Sequence, residues 1–260
     1  KDMTGNGVSR RDLLQHGAAL LAAAGGLKAT AATAAPLPEI ANDDDLERAL
    51  PLLSNWGRWG ADDQLGTLNF ITPEMRLAAA RSIRTARTVS LAHERPVADA
   101  TGVRRFRYEN MHFTDPLPDE AGTIDEIGMI YHGFTITHVD ALCHLFTPEG
   151  REGMYNGYPV DLVTSAGAAK LGVEVIGVGG IVGRGVLLDV AATRGGPLPL
   201  GSIIRVADLE AAEARQGVTV GRGDVLFVRN GQAARNSYEK GTGLHPECIP
   251  WLHRREVAAL

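Results

Sequence analysis

Val173-Glu-Val-Ile-Gly-Val178 opens a stretch in which short β-branched runs alternate with glycines. Ile181-Val182 and Val186-Leu-Leu-Asp-Val190 follow, and Val225-Leu-Phe-Val228 has the same character further along the chain. Short apolar runs bounded by turn residues are typical of buried strands. Residues 206–215, between these runs, have the composition of a helix with Asp208 as its N-cap. The stretch therefore predicts an α/β arrangement.

The preceding part of the chain adds further predicted elements. Thr72-Pro73-Glu74 predicts a helix that starts with Thr72 as N-cap and runs to about residue 84. Residues 89–93, 127–130 and 134–142 are predicted strands. The segment 51–73 is rich in Gly, Asp and Asn, which predicts a loop. Together these elements predict an α/β fold, a β-rich single domain with a mixed sheet or barrel-like core flanked by helices.

Composition and charge exclude several classes of protein. The chain has 260 residues and a net charge of −5, which argues against a nucleic-acid binder held by phosphate contacts. The two cysteines, Cys143 and Cys248, do not make a disulfide framework. The sequence contains no apolar run long enough to span a bilayer. A small molecule is the expected partner.

The N-terminal residues 1–35 have the layout of an export signal. Arg10-Arg11 precede an apolar run at 18–24, and Ala32-Thr33-Ala34 resembles a cleavage site. The paired arginines indicate the twin-arginine route, so a periplasmic or secreted protein, without membrane attachment after signal removal, is expected. An amphipathic N-terminal helix is the alternative. Residues 36–50 are predicted to be an acidic linker, and residues 51–260 the functional domain.

Candidate metal ligands are concentrated in His132-Gly-Phe-Thr-Ile-Thr-His138-Val-Asp140-Ala-Leu-Cys-His144. Residues two apart on a strand share a face, so His138 and Asp140 can converge on one ion, and imidazole with carboxylate suits zinc, manganese or iron. His144 is ~13 Å from Asp140 on a straight strand, so it is interpreted as a general acid or base or as a ligand of a second ion, unless a bend brings it closer. A structural reading, with one histidine in the core and the others exposed, is the alternative.

The stretch Thr137-His-Val-Asp-Ala-Leu-Cys-His144 resembles the His-x-Gly-Thr-His-x-Asp-x-x-x-His motif of the cyclase family, which includes bacterial kynurenine formamidases and isatin hydrolases. Residues 55–69, 183–189, 223–231 and 243–251 resemble further blocks of that family. The resemblance implies a swivelling β/α/β fold and a metal-dependent hydrolase that uses zinc or manganese. It assigns His138 and Asp140 to the metal and His144 to proton transfer, and it leaves a homodimer open.

The chain departs from the family pattern in two places. Phe134 and Ile136 stand where the motif has its first His and its Gly. His132 is a candidate ligand or substrate contact if the chain bulges at Gly133. The family also has a later His and Glu, which His245, His253 and Glu256 do not match, so the domain is predicted to be an incomplete, C-terminally truncated one. His253 and Glu256 are expected on a solvated helix face.

The activity implied by the resemblance is hydrolysis of an amide, formamide or lactam, as in an arylformamidase of tryptophan catabolism. Trp59 and Tyr155 are candidate substrate contacts, although a tight loop explains Tyr155 equally well. Two alternatives stay open: a non-catalytic binder of a metal or small molecule, and a lyase or ring-closing enzyme. The sequence has no Gly-x-Ser-x-Gly elbow, which argues against a serine hydrolase.

Overall fold

The computed structural model describes residues 38–92, 106–112, 123–129, 137–147, 153–231 and 241–260, and it describes 106–112 and 123–129 as backbone only. The predicted export signal, residues 1–35, lies outside these ranges, as do His132, Phe134 and Ile136. The described residues all belong to one unit, Leu37–Leu260. Within these ranges, we find no helix with the length and apolarity needed to traverse a lipid bilayer.

The first described element is a helix in the region predicted to be an acidic linker, residues 36–50. Helix α1 (Asp43–Leu53) follows Asn42, whose side chain accepts a hydrogen bond from the backbone N–H of Asp45 at 3.0 Å. Aspartates fill the first turn, at the positive end of the helix dipole. Ala49 and Leu53 are buried. The structure thus corrects the linker prediction from Asp43 onward, because the acidic run starts a packed helix.

A 3-10 helix, η1 (Gly66–Phe70), and helix α2 (Pro73–Arg81) follow. The Thr72 side chain accepts a hydrogen bond from the backbone N–H of Met75 at 3.3 Å, which confirms the predicted cap. The strand predicted at residues 89–93 is absent from its described part, 89–92. Those residues are exposed, and β-branched side chains favour a strand only where neighbours pack on them.

An antiparallel pair of strands lies in the middle of the chain. Strands β1 (Phe106–His112) and β2 (Thr123–Met129) pair with Phe106 opposite Met129. The strand predicted at 127–130 overlaps β2. The strand predicted at 134–142 is not formed in its described part, because residues 137–141 have no strand partner there and Leu142–His144 form the 3-10 helix η2.

Short elements fill residues 155–179: η3 (Tyr155–Gly157), η4 (Val160–Leu162), β3 (Val163–Thr164), β4 (Gly167–Ala168) and helix α3 (Val173–Gly179). The prediction of a buried strand at 173–178 is therefore wrong. The segment lies at the surface, where Val178 is 92 % exposed. Periodicity alone does not separate strand from helix in so short an apolar run.

The C-terminal half contains the sheet that the sequence predicts. Strand β5 (Gly185–Asp189) is followed by α4 (Val190–Thr193), β6 (Ile203–Ile204), α5 (Val206–Gln216), β7 (Val225–Arg229), β8 (Gly243–Leu244) and α6 (Cys248–Arg254). Strands β5 and β7 are parallel, with Gly185 opposite Val225, and β6 is parallel to β8. Parallel neighbours need a long connection, and α5 lies within the one that joins β5 to β7.

The largest hydrophobic core lies on this parallel pair. Strands β5 and β7 contribute Val186, Leu188 and Leu226, and the helices α5 and α6 contribute Leu209 and Trp251. All five side chains are buried. Val225 also makes a parallel bridge to Ala259. The strands predicted at 186–190 and 225–228 are thus confirmed, because alternate residues of each face helices.

The start of helix α5 differs from the prediction that Asp208 is its N-cap. Arg205 is the N-cap, and Asp208 lies in the first turn, where its Oδ2 accepts a hydrogen bond from the Arg205 backbone N–H at 2.8 Å. The Arg194 guanidinium donates to both carboxylate oxygens, at 2.8 and 2.6 Å. Burial raises the pKa of Asp208, but these hydrogen bonds outweigh burial and hold it below its ordinary value.

Two segments far apart in the chain meet around Phe70. The guanidinium carbons of Arg58 and Arg222 lie 4.7 and 5.2 Å from the centre of its ring. Both arginines bind the carboxylate of Glu256, which follows helix α6 and has φ 50°. The prediction that Glu256 lies on a solvated helix face is therefore wrong, because these two arginines hold it.

The described elements confirm the α/β class. Their strands form two-stranded sheets, two parallel and two antiparallel, and no closed barrel is present in the described part of the chain. Within the described residues, parallel and antiparallel pairs occur in separate two-stranded sheets, rather than in one mixed sheet or a barrel-like core.

Candidate functional site

His138 and Asp140 bring their side chains together, as their spacing predicts. Nε2 of His138 lies 3.4 Å from Oδ1 of Asp140. The segment 137–141 is neither a helix nor a strand. The Thr137 hydroxyl donates to the backbone carbonyl of Leu91 at 2.7 Å, which ties this segment to residues outside it. The His138 side chain is largely covered, at 17 % exposed, whereas that of Asp140 is 55 % exposed.

The separation of the two donor atoms fits a metal ion. Zinc bonds to imidazole nitrogen and carboxylate oxygen are ~2.0–2.1 Å long, so two ligands of a tetrahedral ion lie ~3.3 Å apart. The observed distance from Nε2 to Oδ1 is 3.4 Å. Imidazole with carboxylate also suits manganese. The same distance suits a plain His–Asp ion pair.

A third donor does not join the pair within the ranges that the structure describes, where no three His, Cys, Asp or Glu side chains form a metal-binding group. A catalytic zinc site takes three protein ligands. His132, the candidate further ligand, lies outside the described residues, and so does Phe134, which occupies the position of the usual family ligand. Both stay predictions.

His144 lies on the turn that follows the pair. Its backbone N–H donates to the carbonyl of Ala141 at 3.0 Å, which closes the 3-10 helix η2, and its side chain is exposed. The chain thus bends directly after Asp140. Cys143 points the other way, into a cluster with Met154 and Leu171, and burial raises the pKa of its thiol. Cys143 is therefore a small buried side chain, as predicted.

Asp63 organises the loop beside this turn. Its carboxylate accepts hydrogen bonds from the Asn69 amide at 2.7 Å and from the Tyr155 hydroxyl and the Gly66 backbone N–H at 2.9 Å. Burial raises the pKa of Asp63, but the hydrogen bonds outweigh burial and lower it overall. Burial and the contact with Asp63 raise the pKa of Tyr155.

The two aromatic candidates for substrate contact have structural partners. The Tyr155 hydroxyl donates to Asp63, and the Trp59 ring packs edge-to-face on Phe70 with the centroids 5.0 Å apart. Neither contact tests whether these rings touch a substrate, so that role stays a prediction. The tight-loop reading of residues 154–158 has direct support: Asn156, with φ 62°, donates to the carbonyls of Gly60 and Ala61.

Sequence reasoning passed over Asp63 and Gln64 as contributors to the site. Gln64 Oε1 accepts the backbone N–H of Leu171 at 3.0 Å. The available signal was their place in Asp62-Asp63-Gln64-Leu65-Gly66, a run of polar side chains next to a glycine. Asp and Asn side chains in such loops commonly bind nearby backbone groups. The contacts to Tyr155 and Leu171 span about a hundred residues, which no local pattern reveals.

Comparisons with known proteins identify a family that this chain resembles. The family model described as putative cyclase matches residues 88–260. A crystal structure described as that of a novel cyclase is similar to this chain, with 35 % sequence identity and a TM-score of 0.68. The match covers 79 % of this chain and 75 % of the other. A search of proteins with curated functions gave no significant match.

Proposed function

Because this chain belongs to the putative cyclase family, we propose that it is a metal-dependent hydrolase of amide, formamide or lactam C–N bonds, similar to an arylformamidase. The observation that carries the proposal is the 3.4 Å contact between Nε2 of His138 and Oδ1 of Asp140. These two atoms are donors of the right type, at the separation expected for neighbouring ligands of one ion. Zinc and manganese are the proposed ions.

Each motif residue has a distinct role in this proposal. His138 and Asp140 hold the ion. When bound, the ion acts as a Lewis acid, which polarises a substrate carbonyl and lowers the pKa of water. His144 accepts a proton at one imidazole nitrogen as water attacks, and returns it to the departing nitrogen. Because the η2 turn follows Asp140 directly, the three side chains lie on one short segment. His132 is proposed as a further ligand or a substrate contact.

Exposed apolar side chains next to the motif support an aromatic or otherwise apolar substrate. Leu145 and Phe146 follow His144 and are 75 % and 56 % exposed, and Val139, between the two proposed ligands, is 49 % exposed. Burying such surface against a substrate ring is favourable by about 25 cal/mol per Å². Trp59 and Tyr155 are the proposed additional aromatic contacts.

The test uses the whole chain, loaded with zinc or manganese. We expect bound metal and release of formate from an N-formyl aryl amine, and we expect His138→Ala to lose both. His245→Ala is the matched control, because His245 also lies two residues before a carboxylate, at 3.2 Å from Glu247. Metal-free protein that still releases formate, or His138→Ala with full metal content, would contradict the proposal. Metal binding without turnover would instead assign a non-catalytic binder.

Export by the twin-arginine route is proposed from the N-terminal sequence alone. Arg10-Arg11 and the apolar run that follows support it. Replacing both arginines by lysine is expected to keep the protein in the cytoplasm, whereas the unaltered chain reaches the periplasm or medium. Equal distribution of the two proteins between cell fractions would count against this route.

A further inference from the structure

The turn that carries His144 is connected to Gln64 by two successive hydrogen bonds. The backbone N–H of Cys143 donates to the carbonyl of Leu171 at 3.2 Å. The backbone N–H of Leu171 donates in turn to Oε1 of Gln64 at 3.0 Å. Gln64 is 107 residues away from Leu171 in sequence, so this is a contact between separate parts of the chain. The backbone N–H and carbonyl of Leu171 therefore link the loop at 63–66 to the η2 turn.

Leu171 holds an unusual backbone conformation at this junction. Its φ is 64°, in the left-handed region that bulky residues rarely adopt. Its side chain is 1 % exposed and packs with Cys143 and Met154. A residue keeps such a conformation only where its surroundings over-determine it, and such positions cluster at functional sites. The hydrogen bond from Leu171 to Gln64 is one of those determinants.

A second contact joins the same loop to the same turn. Gly66 has φ 56°, and a Cβ on it would lie 3.3 Å from Cδ1 of Leu142 and 3.8 Å from the Tyr155 ring. Asp63 fixes Gly66 and Tyr155 together by accepting a hydrogen bond from each. The loop therefore contacts Leu142 by packing and is connected to Cys143 through the hydrogen bonds of Leu171. These are the two residues that precede His144.

We propose that Gln64 is a positioning residue that sets the place of His144 through Leu171 and Cys143. The inference rests on the proposed function for the role of His144, and on the contacts above for the link itself. Without the Gln64 acceptor, the Leu171 N–H is left without its partner, and the turn is free to shift. Since proton transfer requires hydrogen-bond distance to the reacting atoms, a shift of the turn lowers kcat rather than metal affinity.

The kinetic test compares three variants of the metal-loaded chain. Gln64→Leu is expected to lower kcat by about 10-fold or more, with KM and metal content unchanged. Gln64→Glu keeps an acceptor oxygen at the same position and is expected to restore most of kcat. Gln216→Leu is the matched control, since Oε1 of Gln216 likewise accepts a backbone N–H, that of Asp189 at 2.8 Å, on strand β5. It is expected to lower stability without lowering kcat.

Hydrogen exchange tests the link without any assay of hydrolysis. In Gln64→Leu, the amides of both Leu171 and Cys143 are expected to exchange about 10-fold faster or more, while Gln216→Leu leaves them unchanged. Unchanged exchange at Cys143 overturns the proposal, whether or not the protein releases formate. A fall in kcat that Gln64→Glu does not restore, or that Gln216→Leu shares, also overturns it. If Gln64→Leu does not fold, Gln64→Asn, which withdraws the acceptor by one methylene, takes its place.

Discussion

Two histidine–carboxylate pairs in this protein have the same sequence spacing and nearly the same geometry. Nε2 of His138 lies 3.4 Å from Oδ1 of Asp140, and Nδ1 of His245 lies 3.2 Å from Oε2 of Glu247. Both pairs lie in blocks that resemble the cyclase family. We nevertheless propose metal binding only for the first pair, because the surroundings of the two carboxylates differ.

The residues of the second pair make contacts at the starts of two helices. Glu247 accepts a hydrogen bond from the backbone N–H of Val206 at 3.1 Å and binds the Arg205 guanidinium at 2.5 Å. Nδ1 of His245 accepts the backbone N–H of Glu247 itself at 3.2 Å. These contacts join the start of helix α5 to the start of helix α6. Asp140, in contrast, is 55 % exposed on a segment outside any helix or strand. Spacing alone therefore does not identify a metal site.

The largest expected difference between the pairs is in metal affinity. Asp140→Asn is expected to weaken binding of zinc or manganese by about 100-fold and to lower formate release at least as much, because a carboxylate ligand is lost. Glu247→Gln is expected to leave both unchanged. Titration calorimetry with each ion measures the affinities. Similar losses in the two variants would show that the pairs are equivalent.

Chelation is expected to affect the first pair alone. A metal at 100 times its Kd stabilises the folded state by about 2.7 kcal/mol, which corresponds to several degrees in Tm for a domain of this size. A chelator should therefore lower the Tm of the unaltered, metal-loaded chain and of Glu247→Gln, but not that of Asp140→Asn. Thermal scans with and without chelator measure the effect. A chelator that lowers the Tm of Asp140→Asn would place the metal elsewhere.

For the free energy of unfolding, we expect the opposite order: substitution in the second pair should have the larger effect. Glu247→Ala removes the acceptor for the Val206 N–H at the start of α5, and loss of such a cap costs about 1 kcal/mol. The ion pair with Arg205 adds little, since the arginine side chain is 51 % exposed. Asp140→Ala in metal-free protein should change the free energy of unfolding by less than about 0.5 kcal/mol. Urea unfolding distinguishes the two, and a larger loss in Asp140→Ala would reverse the assignment.

The smallest expected effect is a loss of stability at acid pH through Asp208, which lies close to the second pair. Hydrogen bonds from Arg194 and the Arg205 N–H hold the pKa of Asp208 below its ordinary value of 3.8, against the effect of burial. A lowered pKa gives stability that is complete above the ordinary value and is lost as the pH falls from there toward the folded value. In urea unfolding, the advantage of the unaltered chain over Asp208→Asn in free energy of unfolding should therefore stay constant from about pH 7 to about pH 5 and shrink as the pH falls through about 4. A constant difference would mean that the carboxylate charge of Asp208 does not contribute.

Local sequence patterns predicted those elements in which the apolar residues of the pattern are in fact buried. The strands β5 and β7 are apolar runs with a buried face, and the cap of α2 is a Thr-Pro pair, so both were predictable. The run at 173–178 has the composition of a buried strand but forms a surface helix, because burial depends on distant partners. The acidic run at 43–45 likewise predicts a linker from composition, although aspartates also suit the first turn of a helix, which is where the structure has them.

The motif residues of the candidate site were predictable from the sequence, but the long-range contacts that surround them were not. The two-residue spacing of His138 and Asp140 predicts that their side chains approach each other, although the strand from which that spacing is argued is not formed in its described part. The contacts of Gln64 with Leu171 and of Asp63 with Tyr155 were not predictable, because each joins segments about a hundred residues apart. Folding alone brings such segments together.

The pairing of Arg58 with Glu256 has a consequence for synthesis of the chain. These residues are 198 positions apart, and the Thr67 hydroxyl similarly donates to the carbonyl of Ala258, 191 positions away. Contacts between such distant residues form late, because a long loop must close first. The segment around Phe70 leaves the ribosome early but receives these partners only when residues 256–258 emerge. Until then the aromatic rings of this segment stay without their final cover.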